Sequence, residues 1–160
     1  MVYFPKRLQA GESWQLAEKC QQLIARQGWG LWAVAFKESE QFIGFVGLHT
    51  PGVDLPFSPC LEIAWRLHRP FWGKGYASEA ANEALAFAFE SLLVNEVLSF
   101  TSCSNQPSRR VMERLGMVNT HHNYTHPGLT PNHPLAEHVL YAISRDRWRK
   151  QLNTLATNKC

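Results

Sequence analysis

The stretch Trp65-Arg66-Leu67-His68-Arg69-Pro70-Phe71-Trp72-Gly73-Lys74-Gly75-Tyr76-Ala77-Ser78-Glu79-Ala80 decides how this chain is read. Residues 60–67 alternate: Leu61, Ile63, Trp65 and Leu67 fall on one face, and Glu62, Ala64 and Arg66 on the other, as in a strand. Residues 77–92 change to helical spacing, with Ala77, Ala81, Ala84, Leu85 and Ala88 on one side. A strand therefore feeds a glycine turn that opens a helix. The first amides of a helix lack internal partners and carry partial positive charge, so a phosphate group can satisfy them. Gly73 and Gly75 remove Cβ obstruction and permit positive φ, and Lys74 adds a cation. A tight ligand-free connection explains the same two glycines. The turn is not a Walker loop, because the long glycine spacing and the Lys-Ser/Thr ending are absent. It is not a dinucleotide fingerprint either, because the third glycine is missing.

Outward from this unit, residues 12–27 bring Leu16, Cys20, Leu23 and Ile24 together at helical spacing, with Gly28 as the expected C-cap. Residues 31–37 and 41–49 read as a hairpin around Glu38-Ser39-Glu40, and residues 50–59 as a Pro- and Gly-rich loop. Residues 96–103 are a strand, 107–115 a short helix ending at Gly116, 119–134 a polar His-rich loop, 138–144 a last strand and 146–152 a terminal helix. The order is mixed α/β, and residues 1–160 are expected to form one domain.

The net charge of +3, without a Lys/Arg block, argues against a nucleic-acid partner and suits an anionic small ligand. No apolar run reaches membrane-spanning length, and no signal peptide is visible, so no membrane role is expected. Cys20, Cys60, Cys103 and Cys160 are far apart and form no metal or disulfide pattern; reduced thiols in the cytoplasm are the expectation.

After the strand of residues 97–102 comes Asn105-Gln106-Pro107-Ser108-Arg109-Arg110-Val111-Met112-Glu113-Arg114-Leu115-Gly116-Met117. Together with the glycine turn, this segment resembles the GNAT N-acetyltransferase superfamily, and within it the branch that includes enzymes acetylating ribosomal-protein N-termini. The resemblance covers residues 29–141. It implies a splayed mixed sheet flanked by helices, with acetyl-CoA as co-substrate. The pantetheine arm would lie between the strands of Glu62 and Thr101, and the pyrophosphate on the amides of Trp72, Gly73, Lys74, Gly75, Tyr76 and Ala77. Asn105 matches a family residue that hydrogen-bonds the pantetheine; an Asn there also makes a good helix cap. Three departures stand out. Pro70 replaces the frequent Gln or Arg, and Met112 replaces a Tyr that serves as acid in many members. The usual first strand–helix unit has no counterpart before residue 12, so an uncovered sheet edge and a homodimer that covers it are expected.

The implied reaction is attack of a neutral amine on a thioester. Deprotonation at pH 7 costs about 1.4 kcal/mol for an α-amine and about 4.6 for a lysine. Glu62 is the first candidate base, acting through a water; a salt bridge or a solvent-facing carboxylate is the alternative. Backbone amides near Arg66 and Leu67 would polarise the carbonyl. Ser108, one helical turn from Asn105, would donate to the departing thiolate or else be a plain first-turn serine. Tyr124 and His126, in a His-Pro segment that resembles one in family relatives, are candidate acceptor-site residues or members of a solvated loop. The His spacing matches no zinc pattern. The expected partner besides acetyl-CoA is a primary amine: a peptide N-terminus, a lysine or a small amine. The competing expectation is a non-catalytic acyl-CoA-binding module of the same fold.

Overall fold

The apolar positions at helical spacing form α1 (Ala10–Gln27), opened by the Gln9 amide donating to Glu12 Oε2 at 2.8 Å. Gly28 closes it at φ 84°, a left-handed position suited to glycine, with its amide on the Ile24 carbonyl. The computed structural model describes Tyr3 and residues 8–157; Cys160, expected as a thiol, lies outside the described residues. The other elements are β1 (Leu31–Ala35), β2 (Phe42–His49), β3 (Glu62–Leu67), α2 (Tyr76–Ala86), β4 (Glu96–Ser102), α3 (Gln106–Arg114), β5 (Val118–Asn119), β6 (Tyr124–Thr125), β7 (Glu137–Ser144) and α4 (Arg145–Thr157).

The strands make one mixed sheet in the order β1-β2-β3-β4-β7-β5, with β6 also pairing β7. β3 and β4 are parallel and joined at a single register pair, Glu62 with Leu98. Beyond it the two strands separate toward their carboxyl ends. Ile63, Leu67, Val97, Val139, Tyr141 and Ile143 enter a core with Ala81, Leu85, Met112 and Trp148 of the helices. Full burial of Leu48, Ile63 and Leu85 contributes about 1.5–3 kcal/mol each. By strand alternation and register, His49, Glu62, Ala64, Arg66, Phe100, His138 and Leu140 lie on the opposite face. Gly44, at φ 152°, is required here: a Cβ would sit 2.2 Å from the Arg66 carbonyl oxygen. Glycine there lets β2 pass close to β3 at Arg66 and Leu67.

Two expectations need correction. The helix of residues 77–92 is α only to Ala86. A π-turn follows at Phe87–Ser91, with the Leu92 amide reaching the Phe87 carbonyl. The wide turn accompanies contacts in two directions: Phe87 against Trp32 and Phe89 against Trp148, with ring centroids 5.5 and 5.3 Å apart. The segment 119–134 is not all loop, because Asn119 ends β5 and residues 124–125 form β6. Two-residue strands have no alternation of their own to read; the long edge of β7 pairs them. β1 is the terminal strand, with no partner on its outer edge among the described residues.

Candidate active site

The separation of β3 and β4 leaves ladder groups without a partner strand. The His68 amide donates to the Ile43 carbonyl at 2.8 Å, which sets the phase of the β2–β3 ladder. By antiparallel alternation, the amides of Glu62, Ala64 and Arg66 turn to β2, and those of Ile63, Trp65 and Leu67 turn toward β4. The Leu98 amide donates to the Leu61 carbonyl at 2.9 Å, so Phe100 and Ser102 also face the gap. Past the Glu62–Leu98 pair, the gap is thus edged by the amides of Trp65 and Leu67 on one side and of Phe100 and Ser102 on the other. This revises one expectation: the Arg66 amide belongs to the ladder, and only the Leu67 amide of that pair opens into the gap. The arrangement accepts an extended ligand bearing amides of its own.

At the open end stands the glycine turn. Gly73 and Gly75 have φ of 74° and 89°, and a Cβ added at either meets nothing within 4 Å. Both glycines are therefore there for backbone conformation and approach, not for internal packing. The Trp72 amide donates to the Arg69 carbonyl at 3.1 Å, and its indole to the Leu67 carbonyl at 2.7 Å. The amides of residues 73–78 meet no acceptor among the described residues, so the anion cradle begins one residue later than expected. The Ser78 hydroxyl, in the same first turn of α2, is buried without a partner. Phe36 holds the turn from below, with ring centroids 5.5 Å from Phe71 and 5.3 Å from Tyr76. Lys74 Nζ, exposed, lies 5.8 Å from the Phe71 ring.

Across the gap, Asn105 caps α3 and is itself buried. Its Oδ1 accepts the Ser108 amide at 3.3 Å, and its Nδ2 donates to Thr101 Oγ1 at 2.8 Å and to Ser108 Oγ at 3.1 Å. Trp65 Nε1 reaches over from β3 and donates to the same Ser108 oxygen at 3.3 Å. With both lone pairs engaged, the Ser108 hydroxyl hydrogen remains for an outside acceptor. Met112, at the position where the resemblance would have a tyrosine, is buried in the core and does not face the gap.

The open face of the sheet carries the charged groups. Glu62 is buried, and its Oε2 lies 2.9 Å from Nε2 of His49, a third exposed. Burial pushes the Glu62 carboxyl up, against the opposing pull of His49. Burial pulls His49 down, but its hydrogen bond to Glu62 and that carboxylate's charge outweigh this, leaving it raised. Arg66, lowered by burial, lies over the Phe45 ring at 5.5 Å. The Tyr124 hydroxyl is buried without a partner; burial, then the charge of Glu62, push its pKa up. Its ring meets Phe57 at 5.1 Å and Phe100 at 6.0 Å. His126 lies 4.9 Å from His138 and 6.5 Å from Phe100, ring centre to ring centre.

Glu62, Tyr124 and His126 therefore share one face, while Asn105, Ser108 and the glycine turn line the gap from the other side. Sequence reasoning missed His49, Phe57, Phe100 and Trp65. His49 and Glu62 are register partners, a relationship that only the β2–β3 pairing exposes. Phe57 comes from a loop without periodicity.

Residues 1–118 match the family model described as an acetyltransferase (GNAT) domain. The FsC-acetyl coenzyme A-N(2)-transacetylase of Aspergillus fumigatus is 34% identical over 125 residues, 76% of this chain and 52% of that protein. The chain spans about half the length of the curated relatives it matches. Among solved structures, an acetyltransferase of the GNAT family from Bacillus anthracis superposes with a TM-score of 0.70 at 21% identity, over 87% of this chain and 76% of that one. The ribosomal-protein-S5-alanine acetyltransferase from Vibrio fischeri gives 0.70 at 21% identity, over 91% of this chain and 80% of its own. At these identities the structures speak for the fold alone.

Proposed function

This chain belongs to the GNAT acetyltransferase family, and from that premise we propose that it transfers an acetyl group from acetyl-CoA to a primary amine within a ternary complex. The observation that carries the reading is the gap between β3 and β4, edged by unpaired ladder amides and ending at a glycine turn whose amides 73–78 are unsatisfied. The two amides of a pantetheine arm match such a gap, and a diphosphate matches such a turn. Gly73, Lys74, Gly75, Tyr76 and Ala77 hold the pyrophosphate, and Trp72 flanks it. Asn105 holds the pantetheine on its amide side chain.

The amine enters from the open face. Its ammonium proton passes to Glu62, directly or through a water. The free nitrogen pair then attacks the thioester carbonyl carbon. The Leu67 amide stabilises the oxyanion that forms. The C–S bond breaks, an acetamide forms, and the CoA thiolate receives a hydrogen bond from Ser108. The second amine proton leaves with collapse of the intermediate and neutralises the thiolate. Burial that raises the Glu62 carboxyl makes it a better proton acceptor near neutral pH.

The reading extends to a homodimer paired along the free edge of β1 and to a cytoplasmic setting. The free thiols of Cys20, Cys60 and Cys103 support the latter. The deciding experiment is acetyl-CoA turnover, followed as free thiol, against a panel holding 2-phenylethylamine, an alanine-initiated peptide, Nα-acetyl-lysine amide and spermidine. Thiol release that depends on amine supports transfer. Tight acetyl-CoA binding without release from any amine replaces this reading with that of a non-catalytic acyl-CoA-binding module.

A further inference from the structure

We infer that the acceptor is a compact primary amine on an aromatic or branched apolar body carrying one positive charge, not a polyamine or a basic peptide. The inference rests on the proposal that the amine approaches Glu62 on the open face. Ala64 faces Phe100 across the gap that opens beyond the Glu62–Leu98 pair. On this face of β3 the small Ala64 side chain stands between Glu62 and Arg66. Phe57, Phe100, Tyr124, His126 and His138 form one wall. Neighbouring rings lie 4.9–6.5 Å apart, and none of the five is fully buried. Rings that pack on one another and still keep surface exposed offer a ready contact for a second apolar or aromatic group. Phe57 also lines an open cavity of about 530 Å³ with Pro59, Cys60, Leu61 and Leu98, and its one charged lining residue, Glu96, is exposed. There is apolar room beside Phe57.

Charge argues the same way. A polyamine site needs several carboxylates. Here Glu62, the one buried carboxylate among the described residues, is already paired with His49, and Arg66 adds a cation on the same face. His126 and His138 are both pulled below the ordinary imidazole value, first by burial, and stand neutral at pH 7. With Glu62 the one buried carboxylate of this face, the further ammonium groups of a polyamine would find no buried counter-charge. The Tyr124 hydroxyl, buried without a partner, is a hydrogen-bond acceptor for the ammonium that approaches Glu62.

The test uses the full chain in the presence of CoA. Binding of 2-phenylethylamine, 3-methylbutylamine, ethylamine and spermidine is measured by ligand-observed NMR, and turnover with acetyl-CoA in parallel. We expect the first two to bind about tenfold or more tightly than ethylamine and spermidine, equivalent to ~1.4 kcal/mol. Phe57→Leu keeps the apolar volume, removes the ring, and should weaken 2-phenylethylamine about fivefold with the acetyl-CoA dissociation constant unchanged. Phe57→Ala should weaken it further; thermal melts establish that both variants are folded. Spermidine or ethylamine binding as well as 2-phenylethylamine overturns the inference. So does parental affinity in both Phe57 variants. Absence of turnover with any amine strikes the transfer reading instead, and the binding order still decides this one.

Discussion

Glu62 Oε2 and His49 Nε2 meet at 2.9 Å as register partners on β3 and β2, a buried carboxylate facing a partly exposed imidazole. The groups around them are Tyr124 from β6, Cys60 from the preceding loop and Lys19 from α1. The pair titrates as a unit, and each partner stabilises the charged form of the other. Glu62→Gln should lower turnover about 100-fold or more, the scale of a lost general base, and leave acetyl-CoA binding within about twofold. His49→Phe removes the group that holds the Glu62 carboxyl down, so the acid limb of the rate profile should move to higher pH. Stability gives a second sign. Both folded pKa values are raised, from ordinary values of 4.5 and 6.5. The contribution of the pair is therefore fully present below those values and is lost as pH rises through the folded ones. Melts of the parent from pH 5 to 9 should fall relative to the Glu62→Gln/His49→Phe double variant. Equal slopes, or an unmoved acid limb, would remove the pair from the mechanism.

Gly75 tests the cradle. At φ 89° a β-branched residue is strained, yet its Cβ would meet no neighbour within 4 Å. Gly75→Val should still fold, with a loss of about 1–2 kcal/mol for the left-handed conformation. Its side chain would stand where the pyrophosphate must approach. Calorimetry should show acetyl-CoA affinity reduced tenfold or more, since each factor of ten is about 1.4 kcal/mol. Parental affinity in a folded variant would mean that the diphosphate is bound elsewhere.

Ser108 tests the leaving-group side. It accepts from Trp65 and Asn105 and has one hydrogen left to give. Ser108→Ala should reduce kcat about tenfold, near the value of one hydrogen bond to a charged group, with little change in acetyl-CoA affinity. The deficit should shrink with a thioester whose thiol has a lower pKa, because that leaving group needs less help. A uniform deficit across thioesters would make Ser108 a structural first-turn serine.

The free edge of β1 predicts assembly. Its outer ladder groups have no partner strand among the described residues, and Phe42, at the start of the neighbouring β2, is 61% exposed. An edge of that kind is normally covered or blocked. Light scattering should report twice the chain mass at micromolar concentration, and Ala33→Pro, which removes a donor on the outer edge of β1, should shift it toward one chain. A monomer at high concentration would count against the proposal.

Much of this was legible from local pattern. Strand alternation placed Glu62, Ala64 and Arg66 on one face; helical spacing placed α1, α2 and α3; Gly28, Gly75 and Gly116 marked positions with positive φ. What escaped depends on how separate strands register. The phase of the β2–β3 ladder, which excludes the Arg66 amide from the gap, is set by pairing at a distance in sequence, the His68 amide on the Ile43 carbonyl. The His49–Glu62 pair needs the same register. β6 is two residues long, and its pairing with His138 cannot be seen in a polar segment. The aromatic wall joins a loop residue, Phe57, to β4, β6 and β7, four separate parts of the chain.

The proposed function places His126 on the acceptor side alone. Its backbone amide donates to the Ala136 carbonyl at 2.9 Å, which pins the segment beside β7. Its Nδ1 accepts the Gly128 amide at 3.1 Å, so the ring proton of the neutral form sits on Nε2. A ring with that tautomer donates; it has no free lone pair with which to take an ammonium proton. Burial also holds its pKa below the ordinary value, so it stays neutral from pH 7 to 9. In the proposed site these facts suit His126 to be a wall and a donor for the acceptor, not a base. His126→Ala should raise the acceptor KM about three- to tenfold, the range of one aromatic contact or hydrogen bond. kcat at saturating amine should change little, and the effect should be constant from pH 7 to 9. His126→Phe, which keeps the ring and removes the donor, divides the two contributions. Parental KM in both variants would return His126 to the solvated loop. A fall in kcat that varies with pH would instead make it a proton-transfer group, against the tautomer that its contacts impose.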